Sequence, residues 1–121
     1  MSRNQYKYRA RPTEVDGVTY ASRLEARCAL LLIKYGVPFT PHVKYDCFDR
    51  EGRPFSYTVD FKLHYPTKFL GIGFAVEALE TKGILRKHDL LRNDALKFCH
   101  GVRCYIVLEP LLNMWWSDGI E

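Results

Sequence analysis

The stretch that most constrains this chain is a mostly apolar run, Gly71 to Leu79, closed by Glu80-Thr81-Lys82-Gly83. So continuous an apolar run suits a central strand, and Gly83 stops it. Side chains two apart on a strand share a face, so Glu80 and Lys82 project together from a buried strand's end. A carboxylate and an ammonium in such a place are costly unless they pair with each other or with a metal. A second acid in a similar setting, Asp60 within Tyr57-Thr58-Val59-Asp60-Phe61-Lys62-Leu63, is the natural companion.

The rest of the chain can be placed around these residues. Pro12 to Gly17 reads as a linker with turn character, and Val18-Thr19-Tyr20 leads into a helix. Ser22-Arg23-Leu24-Glu25 has the capping-box pattern, and Leu24, Cys28, Leu31, Leu32 and Tyr35 follow at helical spacing. Gly36 and Pro38 end that helix. Phe39 to Phe48 is a strand, Asp49 to Pro54 a turn, and Phe55 to Tyr65 a second strand. Phe69 to Thr81 is the third, with Gly71 and Gly73 marking a bulge or bend. Leu85 to His100 is a second helix, with Leu91, Ala95 and Phe98 inward and Arg86, Lys87, Arg92 and Lys97 outward; Gly101 caps it. Val102 to Leu108 is a fourth strand, parallel to the third because a helix connects them. The apolar stretch around Trp115-Trp116 is expected either in the core or at an interface. The fold class is α/β: a mixed four- to five-stranded sheet flanked by helices, in the order α-β-β-β-α-β. Residues 1–17 form a basic arm and linker, and 18–121 one domain.

Composition narrows the function classes. At 121 residues with 47% apolar and 26% charged content, the chain is ordinary globular protein. No apolar run approaches the roughly 18–20 residues of a membrane span, and no secretory signal opens it. Cys28, Cys47, Cys99 and Cys104 lack CxxC spacing, and His42, His64, His88 and His100 lack ligand spacing. Buried, reduced thiols in the cytoplasm (a host's, if the source is viral) are expected, and neither a zinc site nor a small-molecule cofactor. Net charge is +4, and Arg3, Lys7, Arg9 and Arg11 in the acid-free first thirteen residues account for all of it. With Tyr6 and Tyr8 between them, these cations suit a phosphate backbone; a solvating tail is the rival reading.

Two carboxylates and a lysine meeting at strand ends are what a divalent cation and an attacking water require. Asp60, Glu80 and the Thr81 carbonyl can hold Mg²⁺, with Mn²⁺ as a substitute, and Lys82 can orient water. Glu25 can add a further ligand or simply complete its capping box. Glu80 and Lys82 can equally be a plain ion pair, and Asp60 a surface residue. Glu77, three before Glu80, falls on the other face.

Glu25 on the first helix, Asp60 in Tyr57-Thr58-Val59-Asp60-Phe61 and Glu80-Thr81-Lys82-Gly83 together resemble the PD-(D/E)XK nuclease pattern. Within it the chain is most similar to the phage endonuclease I group of Holliday junction resolvases, over about Ser22 to Leu108. The resemblance implies a restriction-endonuclease-like core, metal-site acids at Glu25, Asp60 and Glu80, and a catalytic lysine at Lys82. It differs at Val59, where the motif has proline, and in a longer gap between Asp60 and Glu80, which implies longer strands or an extended hairpin. The expected activity is Mg²⁺-dependent cutting of branched DNA by a homodimer, with Arg3, Lys7, Arg9, Arg11, Arg86, Lys87 and Arg92 on the backbone. A sequence-specific or mismatch-directed endonuclease and a catalytically silent DNA-binding module are the alternatives.

Overall fold

Asp16-Gly17 is a two-residue turn with positive φ at both positions (52° and 78°), which joins strands without splaying them. It pairs β1 (Thr13–Val15) with β2 (Val18–Tyr20) as a separate small hairpin. The computed structural model describes residues 12–121, so Arg3, Lys7, Arg9 and Arg11 lie outside the described residues. Pro12 to Gly17 is therefore not a linker. The Asp-Gly pair between Val15 and Val18 is the signal of the hairpin there.

Helix α1 (Arg23–Lys34) starts as expected, with the Ser22 hydroxyl accepting the Glu25 amide at 3.1 Å. Its inward face is Glu25, Ala26, Cys28, Ala29, Leu31 and Leu32, whereas Tyr35 is exposed. Strands β3 (Phe39–Phe48) and β4 (Pro54–Thr67) form a long antiparallel hairpin from Phe39↔Leu63 to Phe48↔Pro54. Asp49 builds its turn by accepting the Glu51 and Arg53 amides, each at 2.9 Å.

Strand β5 covers only Val76–Thr81, so the expected strand from Phe69 is shorter by half. Residues 68–75 instead make a turn at Gly71, whose φ of 87° disfavours any side chain. A Cβ there would also meet Met114 Cε at 3.1 Å and Leu111 Cδ1 at 3.2 Å. The extra length between Asp60 and Glu80 thus goes into the far end of β4 and this docked turn. Helix α2 (Lys87–His100) ends at Gly101 in the left-handed region and leads to β6 (Cys104–Val107), parallel to β5. The main sheet has the order β3-β4-β5-β6. A further helix, α3 (Glu109–Asp118), takes up the apolar stretch around the tryptophans.

Two hydrophobic clusters flank the sheet. One joins α1 and α3 through Leu31, Leu32, Phe61, Leu79, Leu112 and Trp115. The other sets Leu96 of α2 against Val59, Ala78 and Cys104. The inward stripe of α2 is therefore Asp89 and Leu96, while Leu91 is exposed and Phe98 is 91% exposed. Helical spacing occurs on two sides of α2, and the buried side is the one that reaches Lys82. Among the described residues no helix is long and apolar enough to cross a membrane.

Trp115 is fully buried, stacks on Phe69 at 4.9 Å and donates from Nε1 to the Leu70 carbonyl at 2.7 Å. It belongs to the core and cannot serve as an interface residue. Trp115→Ala should cost about 3–5 kcal/mol in urea unfolding. Trp115→Phe, which keeps most of the ring but orphans the Leu70 carbonyl, should cost less, about 1–3 kcal/mol.

Candidate active site

Strand pairing sets the site. The register Phe61↔Leu79, continued by one residue, puts Asp60 opposite Glu80 on adjacent antiparallel strands. Asp60 Oδ2 accepts two hydrogen bonds from Thr81, one from its amide at 2.8 Å and one from its hydroxyl at 3.1 Å. Thr81 thus ties the acid of β4 to the end of β5. Lys82 follows directly, its amide donating to the Val107 carbonyl of β6 at 3.1 Å.

Odd-numbered residues of β4 divide at Asp60: Tyr57 and Val59 join the α2 cluster, Phe61 and Leu63 the α1 cluster. The acid therefore sits at the seam between the two cores. On β3 the residue across from it is His42, which the regular pairing skips and whose φ is 55°.

Glu80 is 8% exposed and accepts the Tyr57 hydroxyl at 3.2 Å. The Lys82 ammonium lies 3.9 Å from Glu80 and 3.6 Å from Asp89, a buried acid in the first turn of α2. Asp89 also accepts the Arg86 amide at 3.0 Å, which fixes it to the helix start. Burial works against its ionisation, yet the Arg86 amide, Lys82 and His88 outweigh it and hold the carboxyl below its ordinary value. A cavity of about 190 Å³ opens here, lined by Tyr57, Glu80, Lys82, Asp89 and Arg92 among others. Arg92 lies over the Phe55 and Tyr57 rings and donates to the Ser56 carbonyl at 2.8 Å. Arg86 and Lys87 stand exposed at the start of α2 and do not line the cavity.

Glu25 is buried in the first turn of α1. Its carboxylate does not return to the cap, as the capping-box expectation has it; it takes His42 Nε2 at 2.6 Å. Its charge reaches Asp60 all the same. Burial pushes the Asp60 carboxyl up to about 7, Glu25 and then Glu80 add to the rise, and the Thr81 bonds only partly offset it. Burial likewise raises Glu80, against the pull of Lys82 and Tyr57. Asp60 thus feels both acids, Glu25 from α1 and Glu80 from β5.

Among the described residues no group of three or more His, Cys, Asp or Glu side chains is placed to hold a metal ion by itself. A cation would therefore need water or substrate oxygens beside the carboxylates, which is how Mg²⁺ commonly binds. The donor chemistry fits: the acids are hard oxygens, and a cation would offset the burial and like-charge repulsion that raise Asp60.

Sequence reasoning placed Asp60, Glu80, Thr81 and Lys82 together, and it missed Asp89, Tyr57 and His42. Asp89 stands three after Arg86, where a first-turn acid is favoured, so a helix-start signal was present. Tyr57 shares the parity of Val59 on β4. Nothing in the spacing of His42 points to Glu25. No family model, no curated protein and no solved structure matches the chain, so the reading of the site rests on its geometry and its motif.

The raised Asp60 carboxyl has a consequence for stability. A carboxyl near 7 when folded and about 3.9 when unfolded penalises folding increasingly as pH rises from about 4 to 7. Asp60→Asn removes that penalty and can still accept from Thr81. In metal-free melts by circular dichroism, the variant should gain stability at pH 8 and gain about 2.5 kcal/mol less at pH 5.

Proposed function

We propose that this chain is a Mg²⁺-dependent endonuclease that hydrolyses phosphodiester bonds in branched DNA. The observation that carries this reading is Asp60 facing Glu80 across β4 and β5, with Lys82 on Glu80 and Glu25 pressing on Asp60. Supporting it, α1-β3-β4-β5-α2-β6 follows the α-β-β-β-α-β order of the restriction-endonuclease-like core.

In this reading Asp60, Glu80 and the Thr81 carbonyl would hold the cation, and Glu25 would support the set. The cation, Mg²⁺ or Mn²⁺, supplies Lewis acidity to the phosphate and lowers the pKa of a bound water. Thr81 fixes one oxygen of Asp60 by two hydrogen bonds and leaves the other for ligation. Lys82, steadied between Glu80 and Asp89, would orient the attacking water or offset negative charge developing on the phosphate. Arg92 on the cavity wall, Arg86 and Lys87 at its edge, and Arg3, Lys7, Arg9 and Arg11 neutralise the phosphate backbone. Cutting two strands of a junction takes two sites, so the working form is a homodimer.

The test is a cleavage assay with Mg²⁺ on end-labelled four-way junction, linear duplex, mismatched duplex, single-stranded DNA and RNA. Paired cuts in the junction alone are expected. Asp60→Ala and Lys82→Ala should lower the rate at least about 10³-fold while retaining salt-sensitive binding. Cutting of linear duplex at a fixed site would move the protein to the sequence-specific endonucleases. Binding without cutting of any substrate would leave a DNA-binding module.

A further inference from the structure

Glu25 has two possible employments, and the sequence favours the wrong one. Ser22-x-x-Glu25 is the pattern in which the carboxylate reaches back to the amide of the capping residue. The first half of that box exists, since the Ser22 hydroxyl accepts the Glu25 amide. The second half does not. The Glu25 carboxylate is buried and bonded to His42 instead, at 2.6 Å.

His42 is built into an unusual position for this task. Its φ of 55° lies in the left-handed region, which a non-glycine side chain enters only when its surroundings hold it there. The strand pairing passes over it, from Pro41↔Phe61 to Val43↔Val59, so its register position is opposite Asp60. The ring lies 5.4 Å from that of Tyr20, which in turn packs on Phe61, so the imidazole is supported from the core side. Its side chain is 38% exposed, while the carboxylate that it holds is 7% exposed.

We propose that His42 is a positioning residue that draws Glu25 away from its helix cap and commits it to the acids around Asp60. The role given to those acids rests on the nuclease reading; the placement of Glu25 by His42 does not. With His42 absent, Glu25 would fall back on the free Ser22 amide, and α1 would gain a cap bond while the site lost an acid. A left-handed residue is worth its strain here because it turns one side chain out of the strand's alternation and towards α1.

Two variants separate this role from simple support of the fold. His42→Gly removes the imidazole at a φ that glycine adopts freely, so the backbone is relieved rather than broken. His42→Gln keeps an N–H donor at similar reach. Two readouts are taken on the full chain: hydrogen exchange at the Ser22 amide by NMR without metal, and Mn²⁺ binding by calorimetry. In His42→Gly the Ser22 amide should exchange several-fold more slowly than in the unaltered chain, and Mn²⁺ affinity should fall about 10- to 100-fold. His42→Gln should restore both towards the unaltered values. Unchanged exchange at Ser22 in His42→Gly would overturn the placement of Glu25 by His42. Slower exchange with undiminished Mn²⁺ affinity would overturn its service to the site. If the unaltered chain binds no Mn²⁺ at all, the nuclease reading falls, and Ser22 exchange still decides what holds Glu25.

Discussion

The two hydrogen bonds from Thr81 to Asp60 are the constraint on which the rest of the site depends. They join β4 to β5 where the apolar run of β5 ends and where β4 passes from one core cluster to the other. An acid half-buried at the seam of two cores is costly without hydrogen bonds, and Thr81 supplies two of them. Because Thr81 holds it, Asp60 stays beside Glu80, and Lys82 leaves the strand one residue later in reach of both Glu80 and Asp89. The site is thus a property of strand register and not of a flexible loop.

The electrostatics follow from that placement. Asp60 feels the charges of both Glu25 and Glu80, and Lys82 is shared between Glu80 and Asp89. Burial raises Asp60 and Glu80, so this placement costs stability in a folded chain without metal. Natural proteins carry such a cost at functional sites, where local rules give way to chemistry. The same holds for His42, whose backbone departs from the strand that it sits in.

Much of this was legible in the sequence because the signals were local. Ser22 starts α1, Gly101 ends α2, and the β3 boundaries follow from alternation and the turn at Asp49. Glu80 and Lys82 share a face because they are two apart on a strand. The misses were of another kind. Gly71-Ile72-Gly73-Phe74 looked like strand because it is apolar, yet Gly71 turns the chain against Met114 and Leu111 of α3, and Ile72 joins the cluster that α3 shares with α1. On α2, two stripes satisfy helical spacing, and only the partner across the gap selects the one with Asp89 and Leu96. Glu25 fitted a capping box so well that its tie to a histidine seventeen residues away had no sequence signal at all.

The turn between β4 and β5 rests on residues at the far end of the chain. The Leu70 amide donates to the Ile120 carbonyl at 2.6 Å, and its carbonyl accepts from Trp115. During synthesis, then, Asp60 and Glu80 emerge long before the residues that brace the connection between them. A ribosome-bound chain holding everything through Lys82 has Glu25, Asp60 and Glu80 and an unbraced turn between β4 and β5, so completion of the site waits on residues that take no part in its chemistry. Translation itself delays the moment at which the acids are locked in place.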